Sequence, residues 1–182
     1  MGAFFGKIMT KGLLKLSFCV IFSVLVCHTG TVRAENYNAH DFDLNAGKKL
    51  YQTKANCLTC HGWDGNGTGM HPRSVGKAPN LREFIKDAEI LREIVACGRP
   101  GSMMPYHDRM AYRDDRCYGL VMADFGEDEV KPKRGKTIRP EEIDNLVAYV
   151  MEFIIGRQAA TLDDCEKFFK QGHPNCNIPS LK

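Results

Sequence analysis

The residues with the most chemistry in the shortest span are Cys57-Leu58-Thr59-Cys60-His61. Two cysteines three apart can each add across a vinyl group of a haem, forming two thioether bonds. The histidine beside the second cysteine then lies under the iron and becomes its proximal ligand. A bare C-x-x-C is also compatible with a redox disulfide or with half of a zinc site. The rest of the chain has to decide between these chemistries.

A second informative stretch is Gly101-Ser102-Met103-Met104-Pro105-Tyr106, some 40 residues after His61. Methionine is ordinarily a core filler. Here two stand in a Gly/Pro-rich loop, which can carry a thioether to the open face of a haem iron. Met104 is the favoured distal ligand because Pro105 stiffens the backbone beside it, and Met103, His107 and Met110 are the alternatives. No nucleophile or general base accompanies these groups, so the expectation is not an enzyme. His71 reads as a solvated loop histidine.

These groups need elements to position them. Asp43 is placed to cap a helix from Leu44 to Thr53 that carries Leu50 and Tyr51 on its apolar face, with Gly47 either at a close helix contact or merely tolerated. The stretch Gly62-Trp63-Asp64-Gly65-Asn66-Gly67-Thr68-Gly69 is too glycine-rich for helix or strand, lacks a phosphate-loop Lys-Ser/Thr pair, and is flexible enough to wrap a flat macrocycle. Another turn is expected at Lys77-Ala78-Pro79-Asn80-Leu81. A second helix runs from the cap Asp87 to Cys97, with Ile90, Leu91, Ile94 and Val95 on one stripe and Gly98 and Pro100 ending it. The last long helix starts with Pro140 at its first position and carries Ile143, Leu146, Val147, Val150, Met151 and Ile154 at helical spacing before Gly156. Between them, residues 107–136 read as a long surface insertion with a basic tip, Lys131-Pro132-Lys133-Arg134-Gly135-Lys136. Residues 157–182 read as a short tail containing cysteines.

Charge and cysteine use bound the setting. The 182 residues hold 25 Lys and Arg against 22 Asp and Glu, a formal charge of +3. Lys7, Lys11, Lys15 and Arg33 fall in the first 34 positions, which hold no acid, so the remainder carries a formal −1. No basic stripe points to nucleic acid. The early lysines, the apolar run Leu16 to Cys27 and the small residues of Val32-Arg33-Ala34 form an export signal cleaved after Ala34. The apolar run is short of the roughly 20 residues a membrane span needs. Export to the periplasm suits the eight cysteines. Setting aside those of the signal and the C-x-x-C pair leaves Cys97, Cys117, Cys165 and Cys176. They allow three pairings, of which Cys97–Cys117 with Cys165–Cys176 would staple the insertion and pin the tail, while a structural zinc site would lack the usual two close pairs.

Taken together, the first helix, C-x-x-C-H-G, glycine loop, Pro79-Asn80-Leu81, second helix, Met104-Pro105 loop and terminal amphipathic helix resemble the class I monohaem c-type cytochromes from about Asp43 to Arg157. The resemblance implies an all-α, cytochrome c-like fold of three to five helices around one covalent haem c, with a signal peptide at 1–34, a haem domain at 35–156 and the tail beyond. It implies Cys57 and Cys60 as the thioether anchors, His61 as proximal and Met104 as distal iron ligand, and the Pro79 carbonyl as acceptor for the other imidazole nitrogen. It also implies that Gly47 and Tyr51 meet Tyr149 where the terminal helices cross. The function implied is one-electron transport in the periplasm between redox proteins, a dehydrogenase, oxidase or respiratory complex, with the membrane met only through partners. The long insertion and the tail depart from minimal members. They leave room for a haem subunit of a larger dehydrogenase or oxidase, and the methionine-rich loop is loosely similar to cytochromes that serve periplasmic quinoprotein alcohol dehydrogenases. A haem-based sensor with a labile sixth position is the other reading.

Overall fold

The computed structural model describes residues 37–70, 78–178 and 181. The export signal and His71 lie outside the described residues. Five α-helices, α1 (Leu44–Gln52), α2 (Leu58–His61), α3 (Ala88–Cys97), α4 (Pro140–Phe153) and α5 (Leu162–Phe168), are joined by loops containing short 3-10 turns. No β-strand occurs among the described residues, only isolated bridges between Tyr106 and Arg134 and between Cys117 and Leu120. None of the described helices is long and apolar enough to cross a membrane.

The helices begin where their caps dictate. The Asp43 carboxylate accepts from the Ala46 N–H and that of Asp87 from the Ile90 N–H, so each satisfies a donor that the first helical turn leaves unpaired. α3 ends at Gly98, whose φ of +65° suits a residue without Cβ. α4 opens with Pro140, which has no N–H to leave unpaired, and its predicted stripe is buried from Ile143 to Ile154.

α1 crosses α4, and α3 also packs on α4. At the first crossing a Cβ on Gly47 would stand 2.0 Å from the Asn145 carbonyl oxygen and 2.8 Å from the Tyr149 Cβ, so only glycine permits this approach. The Asp43 N–H donates to Asn145 Oδ1 at 3.0 Å, and Lys54 pairs with Glu142 at 2.7 Å. Tyr51 is fully buried, with its ring 5.8 Å from that of Tyr149.

Two segments are more structured than their sequence suggests. The residues from His107 onward are not confined to the surface: His107, Ala111, Tyr112 and Cys117 are buried, and the basic run is no free tip, because its backbone pairs with Tyr106. The tail folds into α5, where Thr161 and Asp164 cap one another reciprocally. Disulfides join Cys97 to Cys117 and Cys165 to Cys176. α5 places Phe168 edge-on to Tyr51 and 5.8 Å from Trp63, while Gln52 Nε2 donates to the Phe168 carbonyl. The tail therefore covers α1 and the start of the glycine loop.

Candidate functional site

Cys57, Cys60 and His61 sit on one tight helical turn. Asn56, with a φ of +55°, swings the chain into α2, a conformation asparagine reaches more easily than most residues. Cys57 is half-buried and Cys60 exposed, and both thiols are free, although the other four described cysteines are bridged. Burial pushes the Cys57 thiol up to about 12, the opposite of the thiolate that disulfide exchange requires.

His61 is buried, and its Nδ1 lies 3.2 Å from the Pro79 carbonyl. A carbonyl only accepts, so Nδ1 carries the proton and Nε2 keeps its lone pair. Burial also lowers the histidine's pKa, against the opposing effect of the Pro79 bond, which favours the neutral imidazole a metal binds. The glycine loop brings Pro79 to this place. Gly67 donates to the His61 carbonyl at 2.9 Å and accepts from Ala78 at 3.1 Å, and a Cβ on Gly67 would lie 2.2 Å from the Ala78 oxygen. Farther along, the Leu81 N–H donates to Gly65 at 2.7 Å, Arg82 pairs with Asp64, and Gly65 packs on Ile154. The loop predicted to be flexible is thus tied down along its length. Tyr51 completes this wall by donating its hydroxyl to the Gly62 carbonyl at 2.7 Å.

The methionine loop leaves α3 directly. Arg99 N–H donates to the Met104 carbonyl at 3.2 Å, and Met104 N–H to the Ser102 hydroxyl at 3.2 Å. Met103 is 64% exposed with Lys133 Nζ 3.6 Å from its sulfur, whereas Met104 is half-buried. His107 is buried with Nδ1 committed to the Lys136 carbonyl at 2.7 Å, and Met110 lies half-buried in the next turn. No cluster of three or more His, Cys, Asp or Glu side chains among the described residues could hold a metal ion, and the disulfides consume the four cysteines of the zinc reading.

A family model described as cytochrome c matches residues 44–153. The chain belongs to the cytochrome c family. It is accordingly a haem-based electron carrier with a covalently bound c-type haem. Searches of curated proteins and of solved structures returned no match. The donor set fits this group: two unpaired thiols three residues apart, and next to them a neutral imidazole with one nitrogen committed to a carbonyl and the other without a partner among the described residues. Sequence reasoning had His107 only as an alternative iron ligand and missed its packing role and that of Tyr112, which is buried, and Tyr118, which is partly exposed. The aromatic pair was visible in the sequence, but nothing there indicated where the two hydroxyls go.

Proposed function

We propose that this cytochrome is exported to the periplasm, with cleavage after Ala34, and shuttles single electrons between redox proteins there, a dehydrogenase or respiratory complex on one side and a terminal acceptor on the other. Residues 35–156 form its haem domain and 157–182 its tail. Cys57 and Cys60 anchor the haem by thioethers, His61 is its proximal ligand and Met104 its distal one. The observation that carries the reading is the His61 Nδ1 to Pro79 carbonyl contact at 3.2 Å, which orients an imidazole between two free cysteines and the glycine loop. Met104 is favoured over Met103 because it is half-buried and held at both its carbonyl and its N–H, while Met103 faces solvent beside Lys133.

Bound haem supplies an iron that cycles between Fe(III) and Fe(II), with thioether ligation favouring Fe(II). The chain's own work is positioning. Pro79 fixes the histidine's tautomer and ring plane, which raises its basicity toward a metal. The glycine loop, closed by Arg82 and Asp64, holds Pro79 in place.

Haem staining after denaturing electrophoresis tests the anchors: colour stays with the wild-type chain and is lost from Cys57→Ala/Cys60→Ala. The oxidised protein is expected to show a weak near-infrared sulfur-to-iron band, absent in Met104→Ala and kept in Met103→Ala. A five-coordinate spectrum, or rapid carbon monoxide binding by the reduced wild type, would sink the carrier reading in favour of a sensor.

A further inference from the structure

The segment after Met104 is built around the loop that carries it. An α-helix leaves its last carbonyls without partners inside the helix. At the end of α3 the carbonyls of Ala96, Cys97 and the capping Gly98 find partners in the insertion. The Ala96 carbonyl accepts from the N–H groups of His107 and Asp108 at 2.8 and 2.9 Å. The Cys97 carbonyl accepts from the Tyr112 hydroxyl at 2.7 Å, and that of Gly98 from the Tyr118 hydroxyl at 2.7 Å. Both tyrosines have a φ of +59°, a conformation bulky residues adopt only when their surroundings impose it. The Cys97–Cys117 disulfide fixes the same helix end covalently.

The other flank of the loop is held by the basic segment. Tyr106 N–H donates to the Lys133 carbonyl at 2.9 Å, Gly135 N–H to Tyr106 at 2.8 Å, and Ile138 N–H to His107 at 3.0 Å. His107 joins the two flanks. Its backbone hangs on α3, and its buried ring donates through Nδ1 to Lys136 at 2.7 Å. The ring lies so close to Gly135 that a Cβ there would stand 2.7 Å from its Cε1.

We propose that His107 is a positioning residue for the distal ligand, clasping the Met104 loop between the end of α3 and residues 133–138 so that the thioether stays on the iron. The inference rests on the reading of Met104 as that ligand. A thioether is a weak ligand, so its residence on the iron depends on how rarely the loop opens. A small anion such as cyanide reaches ferric iron only while the loop is open, and its binding rate therefore reports the clasp.

The test measures cyanide binding to the oxidised holoprotein by the decay of the near-infrared band. His107→Phe fills the site without a donor and is expected to bind cyanide roughly tenfold faster or more, as loss of one well-made hydrogen bond implies. Gly135→Ala crowds the ring without changing its chemistry and should act in the same direction. His107→Asn places an amide N–H near the Nδ1 position and should restore a rate near that of the wild type. Wild-type rates in both His107→Phe and Gly135→Ala would overturn the proposal. Should neither variant fold, hydrogen exchange on the wild type decides: cyanide entry faster than opening of the Tyr106, His107 and Ile138 amides means that the methionine leaves without the clasp opening, which overturns it, and entry no faster than that opening upholds it. If Met104→Ala keeps the near-infrared band, the ligand assignment itself has failed. If it loses the band while the His107 and Gly135 variants behave as wild type, only the clasp has failed.

Discussion

At Gly47 the absence of one carbon atom sets the distance between two helices. A methyl group there would have to displace the backbone of Asn145 or the base of the Tyr149 side chain, neither of which can swing aside. Gly47→Ala should therefore lower stability by about 3 kcal/mol, the upper part of the usual range for overpacking, even though alanine is the better helix former. Chemical denaturation of the holoprotein measures this; an unchanged midpoint would mean that the helices cross elsewhere. A gentler probe of the same corner is Tyr51→Phe, which leaves the ring and removes the hydrogen bond to Gly62. Its expected cost is about 1–2 kcal/mol in the same denaturation experiment.

Among the elements, α4 is held at its N-terminus by charge. The Lys54 ammonium at 2.7 Å and the Arg139 N–H hold the Glu142 carboxyl down at about 2, from an ordinary value of 4.5. Because the folded value lies below the unfolded one, this carboxylate stabilises the fold above pH ~4.5, and the contribution fades as pH falls toward about 2. The pair borders solvent, so its worth is about 1 kcal/mol. Glu142→Gln should be less stable than wild type by that amount at pH 7, with the gap closing across this acidic window in parallel denaturation curves. A gap that persists at pH 2 would assign the effect to something other than charge. The same helix shows why so much of the fold was legible: its apolar residues recur every three or four positions, and Pro140 and Gly156 bracket them. α1 and α3 were readable for the same reason. α5 is shorter, yet Thr161 and Asp164 stood at capping-box spacing before Cys165, Phe168 and Phe169, a signal that went unused. The packing of residues 107–136 had no comparable signal. Its backbone follows no period, and Tyr112 and Tyr118 occupy a left-handed region that sequence gives no reason to assign to tyrosine. Of the candidate site, the C-x-x-C-H run was legible because neighbouring positions carry it; Pro79, 18 residues from His61, entered only through the family resemblance, and the bond from His107 to Lys136, which spans 29 residues, had no signal at all.

Across the whole molecule, the tail closes over the first helix rather than trailing from the last. Phe168 and Phe169 flank Trp63, His173 stacks on Phe169 at 4.5 Å, and the Cys165–Cys176 bridge closes this short loop. Replacing both cysteines by alanine should lower stability by about 3 kcal/mol, the loop-closure value for this span. Denaturation followed by tryptophan fluorescence checks it, since Trp63 is the only tryptophan in the chain; an unchanged midpoint would mean that the aromatic contacts alone hold the tail. The bond from the Asp43 N–H to Asn145 is also long-range, across 102 residues. A ribosome delivers Asp43 long before Asn145, and bringing together residues so far apart carries a loop-closure cost that local contacts do not. On the proposed anchors, the Cys57-to-His61 turn is expected to stay open to haem attachment until α4 arrives to close the fold. A chain stopped at Arg139 should still acquire haem-stainable thioethers but leave the α1 amides unprotected against hydrogen exchange. Protected α1 amides in that fragment would reverse the order, making closure the first event and attachment the second.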